Sequence, residues 1–386
     1  MQFEFASATR IIYGAGTVKQ LPAAAKQLGS RVLFVTGHDP DRWKLLRGEI
    51  EASGAHVTSF PVSSEPTVDL IAQGVHQVRS ENCDVVIAIG GGSVIDAGKA
   101  IAGLLTNPGE VLDYLEVVGK GQALQNPAAP FIAVPTTAGT GSEVTRNAVL
   151  GVPTRKVKAS LRSPFLLPRL AVVDPELTFD LPPSMTAHTG LDALTQLIEA
   201  YVSIRANPVT DGFCVQGIPL AARSLRRAFH HGDDAAARND MSLAALFSGL
   251  ALANAGLGVI HGFAAPLGGR FLAPHGAVCA AILPYGMEIN LRALRARAPE
   301  SAALSRYEDV ARMLTGRPDA TAEDAIVWTR KISKELEIPP LKEYGIREQD
   351  VPLLIAEAAK ASSMKANPLV LTSEELQEVL TQSIDG

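Results

Sequence analysis

Cysteine is scarce in this chain. Its 386 residues include three, Cys83, Cys214 and Cys279, far apart and with no CxxC spacing. An odd, scattered set suits a reducing compartment better than a disulfide framework. Basic runs are missing as well. With a net charge of −5, no Lys/Arg tract and no RNP-like aromatic motif, the chain has no electrostatic footprint for nucleic acid. Every apolar segment is interrupted by Gly, Pro or charge, so none reads as a membrane span. The opening MQFEFASATR carries an acid and no long apolar run, unlike a secretory signal. These absences lead to the expectation of a soluble cytoplasmic protein. What is present is globular: 47% hydrophobic and 19% charged residues, in a chain long enough for two domains.

The first half alternates between two periods. RVLFVT (31–36), HVTSF (56–60), DVVIAIGGGS (84–93) and FIAVPTT (131–137) are short apolar runs. WKLLRGEIEASG, TVDLIAQGVHQVRSE (67–81) and VIDAGKAIAGLL (94–105) have helical spacing. Strands alternating with helices predict a parallel sheet covered on both faces, and unbroken apolar strands agree with two-sided burial. Beyond LPPSMTAHTG (181–190) strand signals vanish. DALTQLIEAYVS, AARSLRRAF, DMSLAALFSGLALANAG, AVCAAILPYGMEINLRAL and SEELQEVLTQSI all read as helices. This change of period places a domain boundary near residue 182.

Two loops carry chemistry. IAIGGGSVIDAGK (87–99) runs strand, Gly turn, helix start, which aims backbone N–H groups and a helix dipole at whatever lies over the turn. It matches neither GxGxxG, since Ile95 stands where Gly is needed, nor a P-loop, since Ser93 and Ala100 break that pattern. A phosphate loop and a simple tight turn both remain open. Ser93 and Asp96 have capping-box spacing, which would make them structural. VPTTAGTGSEVTRN (134–147) also follows a strand, and its small residues let a backbone approach a ligand closely. Two such loops at strand ends fit ligand binding beyond the carboxyl edge of an α/β sheet.

In GLDALTQLIEA (190–200), Leu191, Leu194, Leu197 and Ile198 form one buried helical stripe, with Asp192 and Gln196 one turn apart on another face. Taken alone, an acid and an amide so placed are a solvated or hydrogen-bonded pair. His261 and His275, 14 apart, would alone pass for core histidines.

Together, GGGSVIDAGK and PTTAGTGSEVT resemble the motifs of the iron-dependent (group III) alcohol dehydrogenases. SSEPTVDLI (63–71), KVKASLRSPFLLPRLAVVDPEL (156–177), GLDALTQLIEAY and HGFAAPLGGRFLAPHG (261–276) resemble further stretches, in the same order. The resemblance implies an α/β, Rossmann-like dinucleotide-binding domain with a parallel sheet over residues 1–182. An all-helical metal and catalytic domain over 183–386 follows, an architecture shared with dehydroquinate synthase, with the catalytic cleft between the two. It implies a cofactor site of Gly37, Gly91, Gly92, Ser93, Asp96, Thr136, Thr137, Thr145 and Lys158, with Asn147 on the substrate side. It implies a divalent metal, Fe2+ or Zn2+, on Asp192, His261 and His275.

Two departures stand out. Gln196 occupies the position of a metal-binding His, which makes it a weak or outer member of the set. Ala265 occupies the position of a His that helps to move the proton. Gly37 follows the first strand where the family often has an acid, so NADP is favoured within NAD(P), although Asp39 and Asp41 lie close by. Phe263 and Phe271 are candidates for an apolar pocket or for core. Arg162 and Arg270 are candidates for an acidic substrate or for surface. The reading is reversible hydride transfer between NAD(P)H and a small aldehyde, ketone or alcohol, in a homodimer or higher homo-oligomer. The alternatives are a metal-independent reductase resembling maleylacetate reductase and a lyase resembling dehydroquinate synthase.

Overall fold

The computed structural model describes residues 2–271 and 273–386. The chain divides into two compact units. One comprises Ala6–Thr137 and Gly141–Thr178. The other comprises Phe179–Gly386 with the short stretches Met1–Phe5 and Ala138–Thr140.

The first unit runs β1 (Ile11–Tyr13), α1 (Leu21–Leu28), β2 (Arg31–Thr36), α2 (Lys44–Ala52), β3 (His56–Pro61), α3 (Val68–Ser80), β4 (Val85–Gly90), α4 (Gly92–Thr106), the single turn α5 (Val111–Tyr114) and β5 (Phe131–Pro135). The hairpin β6 (Asn147–Val152) and β7 (Val157–Arg162) follows, then β8 (Leu170–Val173). Six strands form one sheet in the order β1-β8-β5-β4-β2-β3, and every neighbouring pair is parallel. Strands β2, β4, β5 and β8 are largely apolar because both faces are covered, whereas the edge strand β3 (HVTSFP) exposes His56 and Pro61. Leu33, Val35, Val86 and Ala88 pack with Ile71 and Ile101 of α3 and α4. Val32, Phe34, Ile87 and Ile89 pack with Leu21 and Ile50 of α1 and α2. The sheet order reverses between β2 and β4. That is the topological switch point at which open α/β sheets bind ligands. The antiparallel β6–β7 hairpin is absent from the sequence reading, although its alternating burial is a period-2 pattern.

The second unit is helical: α6 (Pro183–Val202), α7 (Pro208–His230), α8 (Ala235–Ala255), α9 (Val259–Arg270), α10 (His275–Arg297), α11 (Ala302–Thr315), α12 (Ala322–Glu335), α13 (Val351–Ala358) and α14 (Ser373–Asp385). No single helix among the described residues is long and apolar enough to cross a membrane. Helix α6 is central, packed by α7, α8 and α10 and buried on nearly all sides from Gly190 to Val202. Three of its polar residues, Asp192, Gln196 and Glu199, are each at most 4% exposed. Buried polar groups need partners. Those partners define the site.

A candidate metal centre and dinucleotide site

Asp192, Gln196 and Glu199 recur at the spacing of one helical face. Helix α9 meets this face with its N-terminus. Glu199 accepts from the backbone N–H of Ile260 at 2.8 Å and of His261 at 3.4 Å, and Asn367 accepts from that of Val259 at 3.0 Å. A buried carboxylate thus satisfies N–H groups that an α-helix leaves open, at the positive end of its dipole. The same carboxylate lies 2.6 Å from His261 Nδ1. With Nδ1–H donated to Glu199, Nε2 is the ring atom that faces Asp192 Oδ1, at 3.2 Å, and it carries the lone pair whenever the ring is neutral. His275, the first residue of α10, brings its Nε2 to 3.7 Å from the same oxygen. One turn further on, Cys279 Sγ lies 3.7 Å from His275 Nε2. The ligand atoms of Asp192, His261, His275 and Cys279 all lie within 4.8 Å of one another.

Gln196 does not face this cluster with its oxygen. Its Nε2 donates to Asp192 Oδ2 at 3.0 Å, and its Oε1 accepts from Ser248 Oγ of α8 at 2.7 Å. The ionised carboxylate only accepts, so the amide turns its NH2 to Asp192 and its oxygen to Ser248, whose hydroxyl also lies 2.8 Å from the carbonyl of Ala245. Its work here is to aim Asp192.

Burial disfavours charge on both histidines, yet Cys279 and Asp192 beside them outweigh it and hold both above the usual histidine range. Burial would raise Asp192, but His275 and His261 hold it below the usual carboxylate range. The pocket therefore favours positive charge among converging donors. Carboxylate, imidazole and thiol donors that converge in this way fit a divalent cation, which would displace the imidazole protons.

In the first unit, Gly37, Gly91 and Thr136 follow the carboxyl ends of β2, β4 and β5, adjacent strands at the switch point. Gly37, Gly91, Gly92, Ser93, Thr136 and Thr137 are all half-buried and reachable from that edge. Helix α4 starts at Gly92 with Gly91 as N-cap. A Cβ on Gly91 would sit 3.3 Å from Thr137 Cγ2, and one on Gly98 would sit 2.7 Å from both Ala88 Cβ and Phe131 Cε2. Gly98 thus permits the close helix–sheet packing that the last glycine of a dinucleotide fingerprint provides.

The expected Ser93–Asp96 capping box does not form. Gly91 caps the helix without a side-chain bond, and Asp96 turns inward, where it accepts from Ser142 Oγ and, at 2.9 Å, from the N–H of Val149. Lys99, fully buried, donates to Ser142 Oγ at 3.1 Å, Thr145 Oγ1 at 2.9 Å and the carbonyl of Asn147 at 2.8 Å. Burial lowers its pKa, and burial raises that of neighbouring Glu143 to about 7. Asp96 and Thr145 are therefore engaged in holding the second loop. Lys158 pairs with Glu65 at 2.9 Å.

The N-terminal region matches the iron-containing alcohol dehydrogenase family over residues 8–175, and that family's C-terminal region matches over 186–384. The chain belongs to the iron-containing alcohol dehydrogenase family. It is 40% identical over 324 residues to alcohol dehydrogenase 4 of Schizosaccharomyces pombe, spanning 84% of this chain and 74% of that one. It is 35% identical over 379 residues to the NAD-dependent methanol dehydrogenase of Bacillus methanolicus, spanning 97% of each. Among solved structures, a 1,3-propanediol oxidoreductase superposes with a TM-score of 0.91 at 33% identity, covering 99% of this chain and 100% of that one. This member of the iron-containing alcohol dehydrogenases is accordingly a metal-dependent, NAD(P)-linked oxidoreductase acting on the CH–OH group.

Packing bears on several of the open alternatives. Phe263 is fully buried in the helical core, while Phe271 is half-buried against it. Arg270 pairs with Glu357, and Arg162 with Glu116 at 3.0 Å. Arg223, Arg226 and Arg227, a basic stretch of α7, pair with Asp240, Glu335 and Asp234. The sequence reading passed over Glu199, Ser248, Lys99 and Cys279. Two of these carried a signal: Glu199 lies seven residues after Asp192, and Cys279 four after His275.

Proposed function

We propose that this chain reduces small neutral aldehydes or ketones, and oxidises the corresponding alcohols, at a metal held by Asp192, His261 and His275. The observation that supports this most is the convergence of those three donors, with Glu199 fixing the His261 tautomer and Gln196 fixing Asp192. A divalent cation bound there supplies Lewis-acid polarisation of a carbonyl oxygen. The remaining work belongs to the chain. Gly91, Gly92 and Ser93 offer backbone N–H groups at the α4 N-terminus to a pyrophosphate. Thr136 and Thr137 line that edge; in this reading Lys158 serves the nicotinamide ribose and Asn147 the substrate side. Ala265 has no titratable group, so the alkoxide proton comes from water, a cofactor hydroxyl or another group. The pairing of Arg162 and Arg270 with acids argues for a neutral substrate and against an organic dianion such as maleylacetate.

The cofactor reading is NADP, with NAD also accepted. Gly37 places no carboxylate at the end of β2. Asp39 is turned onto the N–H of Asp41 at 3.1 Å, where it caps the turn Pro40–Trp43. A chain copy paired through its own surface, as a homodimer in the cytoplasm, completes the expectation.

The test is turnover of NADPH and NADH with a panel of neutral aldehydes, before and after chelation. Activity should fall in chelator and return with Zn2+ or Fe2+. Asp192→Ala should lose at least a thousandfold in kcat yet bind NADPH within threefold of the parent. Full activity in chelator, together with indifference to Asp192→Ala, would refute the metal assignment and favour a metal-independent reductase.

A further inference from the structure

Of the three buried cysteines Cys83, Cys214 and Cys279, none used by the reaction above, Cys279 is the one that lies in the metal cluster. It is wholly buried, yet it is set apart from its neighbours on α10 by what it faces. Ala277, Val278, Ala280 and Ala281 are apolar positions of that helix. Cys279 instead follows His275 by one turn and places Sγ among three polar donors. A cysteine needed only for packing behaves as a small hydrophobe among apolar groups.

The distances can be compared with a filled site. With metal–N or metal–O bonds of about 2.0–2.1 Å and a metal–S bond of about 2.3 Å, a tetrahedron has edges of about 3.3 Å between N/O donors and about 3.5 Å between N and S. Asp192 Oδ1 to His261 Nε2 is 3.2 Å, and to His275 Nε2 is 3.7 Å. Cys279 Sγ to His275 Nε2 is 3.7 Å. These three edges lie within about 0.4 Å of that tetrahedron, and the other three are each under 4.8 Å. The amide oxygen of Gln196, the other donor one turn from a ligand, is turned to Ser248.

We propose that Cys279 is the fourth protein ligand of this centre, making an O,N,N,S set that selects Zn2+ over Fe2+. The proposal rests on the assignment of Asp192, His261 and His275 as metal ligands. On binding, the thiol proton leaves to bulk water as the sulfur–metal bond forms, with no change of oxidation state. Thiolate is a soft donor, and soft donors favour zinc. Cys279 closes the buried side of the cluster, while His275 keeps 37% of its side chain exposed. A substrate oxygen would then enter from the His275 side as a fifth ligand, an expansion that catalytic zinc sites permit.

The experiment uses full-length protein stripped of metal and titrated with Co2+. Visible d–d bands report binding, and a near-ultraviolet charge-transfer band reports a thiolate ligand. The wild type should take up one equivalent and show both. Cys279→Ser should keep the visible bands, lose the near-ultraviolet band and lose at least tenfold in affinity, whereas Cys83→Ser and Cys214→Ser should leave both. Zinc exceeds iron in most sites, so the selectivity claim is read from the variant: its Zn2+/Fe2+ affinity ratio should drop at least tenfold. A zinc-edge absorption spectrum of the wild type, which needs no variant, should show one sulfur neighbour at about 2.3 Å. Visible bands without a thiolate band in the wild type, or a thiolate band that survives Cys279→Ser, would overturn the role of Cys279 and leave the three-ligand assignment standing. An unchanged ratio in Cys279→Ser would overturn the zinc selectivity. No uptake of cobalt would overturn both the proposal and the assignment beneath it.

Discussion

Replacing Glu199 with Gln removes one charge and almost no volume from the middle of the helical core, so its effects follow from hydrogen bonding alone. The carboxylate accepts from three N–H groups: Ile260 N at 2.8 Å, His261 N at 3.4 Å and His261 Nδ1 at 2.6 Å. An amide has one oxygen for these donors and adds an NH2 that has to point at one of them. If the oxygen stays on the backbone of α9, the NH2 faces the imidazole. Nδ1 must then become an acceptor and the ring proton moves to Nε2. That proton points at Asp192 and occupies the lone pair that a metal needs. Loss of such an outer partner typically costs 10- to 100-fold in metal affinity, about 1.4–2.7 kcal/mol. If the oxygen goes to the imidazole instead, Ile260 N–H is left buried and unpaired, at about 1–3 kcal/mol of folding stability. Glu199→Gln therefore loses one or the other. Metal titration against a competing chelator and chemical denaturation of the stripped protein measure the two. NADPH affinity should hold, since the glycine loops belong to the other unit. Metal affinity within twofold of the parent, together with stability within 0.5 kcal/mol, which is about the noise of surface substitutions, would refute this reading.

Gly37→Asp should shift the NADH/NADPH ratio of kcat/KM toward NADH by about 10- to 100-fold, the size of one charge-assisted hydrogen bond gained and one phosphate repelled; an unchanged ratio would refute the role of Gly37. Lys99→Met should destabilise the chain by about 3–5 kcal/mol, because Asp96 is left buried without its cation and three acceptors lose their donor. The same variant should bind NADPH more weakly, since those acceptors hold the second glycine loop, and a loss below 1 kcal/mol in urea denaturation would contradict it.

The legible parts of this molecule were those set by neighbours in sequence. Continuous apolar runs marked β2, β4 and β5 because a strand covered on both faces has no polar side to show. The glycine run after β4 marked a close approach because a Cβ at Gly91 or Gly98 meets Thr137, or Ala88 and Phe131. Periodicity also separated a helical second half, since its long helices repeat one pattern over many turns. What it could not say is which element covers a given face. Asp96 has perfect capping-box spacing, yet its partners are Ser142 of the second glycine loop and Val149 of the hairpin that closes against α4. A local rule lost to a long-range contact that stabilises a buried lysine. The same limit governs the metal cluster. Asp192 and Gln196 were visible as neighbours on one face, but their roles part only when Ser248 and His261, 52 and 69 residues from their respective partners, take opposite sides of it. Glu199 and Cys279 sit one further step along faces already marked, at seven residues from Asp192 and four from His275. Extending each marked face by one turn in both directions would have found both. A buried helix that carries three polar residues on one face is therefore worth reading to its end, because a core of this density tolerates each of them only with a partner.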